Sequence, residues 1–323
     1  MRGKGTLRGT LSWALSLFLV TLWSSSGFCW GALGHWTVAR LAESGLTAKT
    51  AAQIKLVLDN QPLAYFSTTP DDWRYQNKWK FSSSYHFDTI PDGQSYLQTL
   101  SSMEKNQMAK GGVVLAILRS VEVLKNAEKT GFSPEARNAL IFLIHFVGDI
   151  HQPLHVGRPG DAGGNAVPVL WGDKKTNLHA VWDSLLIARA HEKFLDGNEV
   201  VESSVRYSQH LATKFKGAKS DQLTEAFSKP FSENRIENWI QEQMDIREAL
   251  YHGFDQDQDV YAEHFIEIID YQIYLAGVRL AQILNTIFEG PGMANKSSLQ
   301  LSIEKIIGRI ENVIRLIPLE KGI

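Results

Sequence analysis

The chain has 323 residues, 44% of them hydrophobic, with 33 Lys and Arg against 35 Asp and Glu. That length suits one large domain or two small ones. The charge balance excludes a nucleic-acid binder that works through a broad basic surface.

Residues 1–29 read as a secretory signal peptide. Arg2, Lys4 and Arg8 make a positive n-region, and Leu11 to Trp23 is an apolar run too short to span a bilayer. Ser24 to Cys29 is a small-residue end suited to cleavage before Trp30. The expected destination is secreted or periplasmic, with no membrane span after processing. From Trp30 onward the chain carries 30 basic against 35 acidic side chains, a net of −5. The one cysteine, Cys29, falls in the removed segment. The processed chain thus has no disulfide to form, and any zinc must be held by His and carboxylate. A phosphate ester as substrate would need bound metal for its positive charge.

Beyond Trp30 the pattern is helical. Gly34 to Leu46 predicts a first helix, and Thr47 to Asp59 a second with Thr47 as N-cap. Residues 60–95 read as irregular, with three prolines and five Trp or Tyr. A helical stretch from Tyr96 to Lys129 breaks near Gly111-Gly112. Ser133-Pro134 supplies an N-cap and a first-turn proline for a helix ending at Gln152. Residues 157–177 form a glycine-rich loop with room for a short hairpin. Helices resume at 178–195, 200–215, 232–252 and 259–289. No βαβ alternation and no repeat is present, so the fold class is all-α. The organisation is a signal peptide (1–29), one domain (30–290) and a C-terminal extension (291–323). Within the extension, Ser298 to Ile317 predicts an amphipathic helix that packs on the domain, forms a dimer or attaches to a surface.

The chemistry concentrates in Ile141 to His155, IFLIHFVGDIHQPLH. His145 and Asp149 are four apart and share one helix face. Pro153 ends the helix, so His155 can turn back over that face. An unpaired imidazole and carboxylate in an apolar run cost several kcal/mol, of order 2–7 each. A divalent metal would satisfy all three. His179 and Asp183 repeat the four-residue spacing in NLHAVWD. His35 in WGALGH, His86 in YHFDTIP, and Asp71 and Asp72 in TTPDDWR add donors. His151 points about 200° away from Asp149 on an ideal helix and reads as a supporting residue. His191, His210, His252 and His264 sit among charged residues and read as surface.

WGALGH, PDDWR, YHF, HFVGDIHQPLH, GDAGGN and NLHAVWD occur in that order. The set resembles the S-one/P-one nuclease family of single-strand-specific class I nucleases, related to zinc phospholipase C, over about residues 30–285. The resemblance implies a mostly helical domain with a tri-zinc cleft. It places Asp71, His86, His145 and Asp149 on one Zn2+. The α-amino nitrogen and carbonyl oxygen of Trp30, with His35 and bridging Asp149, hold a second, and His155, His179 and Asp183 a third. Asp71 and Arg74 would be catalytic. Phe87 would stack on a base, and Asn165 would line the cleft or prop a ligand loop. The implied activity is endonucleolytic hydrolysis of single-stranded DNA or RNA to 5′-phosphates, with 3′-nucleotides as further substrates. Family members carry a base-edge Asp or Asn two residues after that aromatic. Here Asp88 is one after it and Thr89 two after it. A zinc phospholipase C is the nearest alternative. It differs in having His-x-x-x-Glu where this chain has His179 and Asp183. A non-catalytic zinc-binding protein is the other alternative.

Overall fold

A computed structural model describes residues 30–192, 195, 199–216, 236–254, 257–289, 315 and 317–319. The expected signal peptide lies outside the described residues, as does nearly all of the helix expected at 298–317. Among the described residues, no helix is long and apolar enough to cross a membrane.

The first two helices are α1 (Ala32–Ser44) and α2 (Ala48–Val57), the latter capped by Thr47, whose side chain accepts from the Thr50 amide. The stretch read as irregular is instead ordered into short pieces: α3 (Leu63–Phe66), α4 (Thr69–Trp73) and a 3-10 segment, Lys80–His86. Each is too short for a periodic signal, and their aromatics hold them. Trp73 and Trp79 stack at 4.2 Å and meet Phe142 edge-on. Next come α5 (Tyr96–Ser102) and α6 (Lys105–Met108), both started by capping boxes, and then α7 (Val113–Thr130).

The central helix is α8 (Pro134–Asp149). Ser133 accepts from the Ala136 amide to start it, and every side chain from Ala139 to Asp149 is buried. It stops at Asp149, three residues earlier than the sequence suggests. Gln152 is extended before Pro153 (φ −95°, ψ 115°), as that proline demands, and Pro153–His155 is a 3-10 turn. The remaining helices are α9 (Leu178–Ala180), a π-helical turn (Val181–Leu185), α10 (Leu186–Ala190), α11 (Val200–Lys214), α12 (Ile236–Leu250) and α13 (Gln258–Glu289).

Helix α8 packs on α7, while α1 lies against α11 and α13. Two small ribbons complete the fold. β1 (Asp88–Thr89) pairs in parallel with β2 (Val156–Gly157), which sets the segment after His86 beside the one after His155. β3 (Pro168–Trp171) and β4 (Lys174–Asn177) form the expected hairpin. The mostly helical architecture agrees with the all-α reading.

The seat of α1 depends on Gly277 in α13. A Cβ there would lie 2.4 Å from the Leu41 Cβ and 3.1 Å from the Val38 carbonyl oxygen. The overlap involves backbone and a helix-bound Cβ, so neither can yield cheaply. Gly277→Ala is therefore expected to destabilise the protein by about 1–3 kcal/mol, the usual range for overpacking, although alanine is the better helix former. Chemical denaturation followed by circular dichroism measures this, and unchanged or raised stability would contradict it.

Candidate metal centre

Six separate pieces of chain converge on one buried cluster. α1 brings His35, α4 brings Asp71, and the end of the 3-10 segment brings His86. α8 brings His145 and Asp149, the 3-10 turn His155, and α9 with its π turn His179 and Asp183. All eight side chains are buried. The extra backbone residue of the π turn falls where Asp183 faces the cluster, a place where such turns commonly serve function.

Asp149 is the hub. One carboxylate oxygen is 3.1 Å from His86 Nδ1 and 3.2 Å from His145 Nε2; the other is 3.3 Å from His35 Nε2 and 3.8 Å from His155 Nδ1. Asp71 Oδ1 lies 3.8 Å from both His86 Nδ1 and His145 Nε2. His179 Nε2 is 3.2 Å from Asp183 Oδ2, and His155 Nε2 is 4.0 Å from Asp183 Oδ1.

The decisive contacts lie on the outer sides of these rings. His145 Nδ1 is 2.6 Å from the Ser67 carbonyl oxygen, His155 Nδ1 is 2.6 Å from that of His86, and His179 Nδ1 is 2.6 Å from that of Gly163. A carbonyl only accepts, so each Nδ1 carries the proton. In the neutral rings each Nε2 is then a bare lone pair. The lone pair of His179 faces a carboxylate oxygen of Asp183 at 3.2 Å, where a carboxyl proton or a cation must lie between them. That of His145 faces Asp149, and also His86 at 3.0 Å. Such contacts need a proton or a cation between them, and outward-facing carbonyls are how proteins orient histidine ligands. Asp71 Oδ1, Asp149 Oδ1, His155 Nε2 and Asp183 Oδ2 have no hydrogen-bond partner.

Within the cluster, three groups bring donor atoms to within 4.8 Å of one another: His35, His145 and Asp149; Asp71, His86 and His145; and His155, His179 and Asp183. The electrostatics are those of an interacting imidazole and carboxylate cluster: despite burial, the carboxylates of Asp149 and Asp71 raise His145. Burial pushes His155 down to about 3, and also lowers His35, His86 and His179. Burial alone would raise Asp149, yet the imidazoles of His145 and His155 hold it well below the usual range. Asp183, with Gln152 as its amide donor at 2.6 Å, is raised by burial.

Beside the cluster opens a cavity of about 220 Å³, lined by Arg74, His86, Phe87, Thr89, His155 and Asn165 among others. The Arg74 guanidinium lies 3.4 Å from Asp71 Oδ1. Phe87 is 48% exposed, which makes it a cleft residue and not a core aromatic. Asp88 faces the other way. Its carboxylate accepts from the Val114 amide at 3.0 Å and serves the N-terminus of α7, so Thr89 is left at the cleft. Asn165 Nδ2 donates to the Ala162 carbonyl and closes the loop that presents the Gly163 carbonyl to His179. Trp30 is buried at the start of α1, and the Gly31 amide donates to the Asp183 carbonyl at 2.7 Å.

Several supporting residues carry no sequence signal of their own. Arg247 of α12 is buried and donates to the Val156 and Gly157 carbonyls and to Asp92, holding the strand that follows His155. Tyr251 donates to Asp161, which in turn accepts from the Gly163 amide. Two histidines differ from expectation. His151 contacts the Val147 carbonyl and Arg279, tying α8 to α13, and touches no member of the cluster. His191, read as surface, is buried against Asp270, which also accepts from Tyr207 and Lys214.

The chain matches the family described as S1/P1 Nuclease over residues 30–289. It is 30% identical to Endonuclease 5 of Arabidopsis thaliana over 289 residues, which cover 85% of this chain and 96% of the relative. Nuclease S1 of Aspergillus oryzae is 29% identical over 224 residues, with 68% of this chain and 70% of the relative covered. Nuclease P1 of Penicillium citrinum is 25% identical over 277 residues, with 80% and 97% covered.

The His155 environment generates a pH prediction. Its pKa is near 3 in the folded metal-free chain and about 6.5 when unfolded, so the unfolded state binds the proton first. The stability conferred by a neutral His155 is whole above pH 6.5 and is lost as pH falls toward 3, at about 1.4 kcal/mol per pH unit. In EDTA, the stability of His155→Gln relative to the parent is expected to rise across that window. Urea midpoints at several pH values measure it, and parallel pH profiles would contradict the assignment.

Proposed function

The chain belongs to the S1/P1 nuclease family, and we propose that it is a zinc-dependent endonuclease of single-stranded nucleic acid with a three-ion centre. Its reaction is hydrolysis of phosphodiester bonds. The observation that carries the zinc reading is the convergence of buried imidazole and carboxylate side chains in three groups whose donor atoms lie within 4.8 Å of one another, several of them with no hydrogen-bond partner. The donor set suits zinc, which takes imidazole and carboxylate readily. Asp71, His86, His145 and Asp149 would hold one ion, and His155, His179 and Asp183 another. Asp149 would bridge to the third, with His35 and the α-amino nitrogen and carbonyl oxygen of Trp30. That last assignment is supported by the burial of Trp30 and by the bond from Gly31 to Asp183.

When bound, zinc supplies Lewis acidity and brings the pKa of water toward 7. The chain's own groups do the rest. Arg74 presents a planar fork at the cleft, next to Asp71, and binds the non-bridging phosphoryl oxygens. Asp71 accepts from the attacking water and orients it. Phe87 offers an aromatic face to an unpaired base. Asn165 keeps the Gly163 loop closed at the cleft edge. Products carry 5′-phosphates, and 3′-mononucleotides lose phosphate at the same site. The leader directs export, and its cleavage before Trp30 frees the amine, which matters because a peptide-bonded nitrogen is a poor zinc ligand.

Protein beginning at Trp30 is expected to contain about three zinc ions by mass spectrometry and to degrade circular single-stranded DNA. EDTA should abolish the degradation and zinc should restore it. Asp149→Ala should lose more than one ion and roughly 10³-fold in kcat, the several kcal/mol that metal catalysis contributes. Full zinc with intact DNA, or hydrolysis of phosphatidylcholine instead, would overturn the reading. A form keeping Met ahead of Trp30 is expected to bind one ion fewer, and equal zinc content would contradict the role of the amine.

A further inference from the structure

Arg74 begins a short aromatic and basic stretch, Arg74 to Phe81, RYQNKWKF. Its aromatics divide in two. Trp79 is buried on Trp73 and Phe142, and Phe81 packs on Trp79 and Tyr85. Tyr75 turns outward and is 64% exposed. An exposed tyrosine is not by itself a site. The position of Tyr75 is what matters. The Arg74 guanidinium lies 5.2 Å from the Tyr75 ring centroid and 3.4 Å from Asp71, so it sits between that ring and the cluster. Arg74 lines the cavity together with Phe87, a second exposed aromatic, while Tyr75 stands outside the cavity wall on the far side of the Arg74 guanidinium. Gln76, Asn77, Lys78 and Lys80 continue the exposed stretch, with Asp72 as its exposed carboxylate.

We propose that Tyr75 is a second stacking platform for single-stranded nucleic acid. With the scissile phosphodiester at Arg74, the base on one side lies on Phe87 and the base on the other side lies on Tyr75. Lys78 and Lys80 then stand near the phosphates beyond. This rests on the reading of the cleft as a phosphodiester site. Every base has a π-face, so two platforms favour a strand over a mononucleotide without fixing a sequence. An acidic chain gains more from such contacts than from a diffuse basic surface. The platforms also require unpaired bases, since a duplex keeps its faces covered by neighbouring pairs.

The test uses zinc-loaded protein and a thymidine dinucleotide whose linkage is a phosphorodithioate, which keeps the charge and resists hydrolysis. Two analogues each lack one of its bases. Calorimetry gives Kd for the parent, Tyr75→Ala and Tyr75→Trp. Tyr75→Ala is expected to weaken dinucleotide binding by about tenfold, and Tyr75→Trp to restore it. For one of the two base-lacking analogues, the effect of Tyr75→Ala should vanish. An unchanged Kd, or no binding by the parent, overturns the proposal. So does an equal loss on all three ligands, which would make Tyr75 only a support for Arg74. Tyr75-dependent binding by a protein that cleaves no natural strand would sink the hydrolytic reading and leave this one standing. Cleavage with binding indifferent to Tyr75 would do the reverse.

Discussion

A carboxylate with no exposure, ringed by imidazoles, is the constraint on which this structure turns. Asp149 has four histidine nitrogens within 3.8 Å. Burying such a group is costly unless its charge is answered. Hydrogen bonds from neutral rings cannot answer it in full, because His145 and His155 have their Nδ1 protons committed to carbonyls. The fold therefore places a strongly negative point in an apolar helix and directs lone pairs toward it. Cations resolve that conflict, and the surrounding architecture makes sense as the means of keeping it in place.

That architecture works from outside inward. α8 supplies two donors on one face because its last eleven residues are buried and cannot rotate. Pro153 turns the chain at the point where His155 is needed. The parallel pairing of Asp88–Thr89 with Val156–Gly157 lays the His86 segment against the His155 segment, and the His86 carbonyl orients the His155 ring. Arg247 closes the back of this arrangement with two backbone carbonyls and Asp92. Gly163 shows the same economy of space. Its φ of +62° and a backbone oxygen 2.5 Å from where a Cβ would sit admit only glycine, and its own carbonyl orients His179. Losing any of these supports would move a ligand by more than a metal site tolerates.

What the sequence disclosed and what it hid follow one rule. Side chains that act through regular spacing were legible. His145 with Asp149, and His179 with Asp183, declare themselves by a four-residue step, and His155 by the proline before it. Groups that act through backbone atoms were silent. Nothing in the letters marks the Ser67, His86 or Gly163 carbonyls, since every residue has one. Asp88 follows the same rule. It stands one residue after Phe87, and alternation along an extended segment sends neighbours to opposite sides, where α7 had amides to satisfy. His191 looked like surface because its charged neighbours are sequence neighbours. Its actual partners, Asp270 and Tyr207, come from distant helices. The short helices between residues 60 and 95 escaped because aromatic packing, not periodicity, stabilises them.

The same division bears on how an acidic protein handles a polyanion. From Trp30 onward the charge is −5, so long-range attraction of a strand is weak and recognition has to be local. Among the described residues Arg74 is the one arginine lining the cleft, and it borders Asp71. Cations held by the cluster would concentrate positive charge there, at the bond to be cut and not along the strand. Contacts away from that point must then be largely uncharged, and exposed aromatic faces are the sequence-tolerant form of such contact. Selectivity for unpaired strands follows from the same geometry: a base free to leave its stack can reach Phe87 while its phosphate reaches Arg74, and a paired base must first be unstacked at a cost of a few kcal/mol.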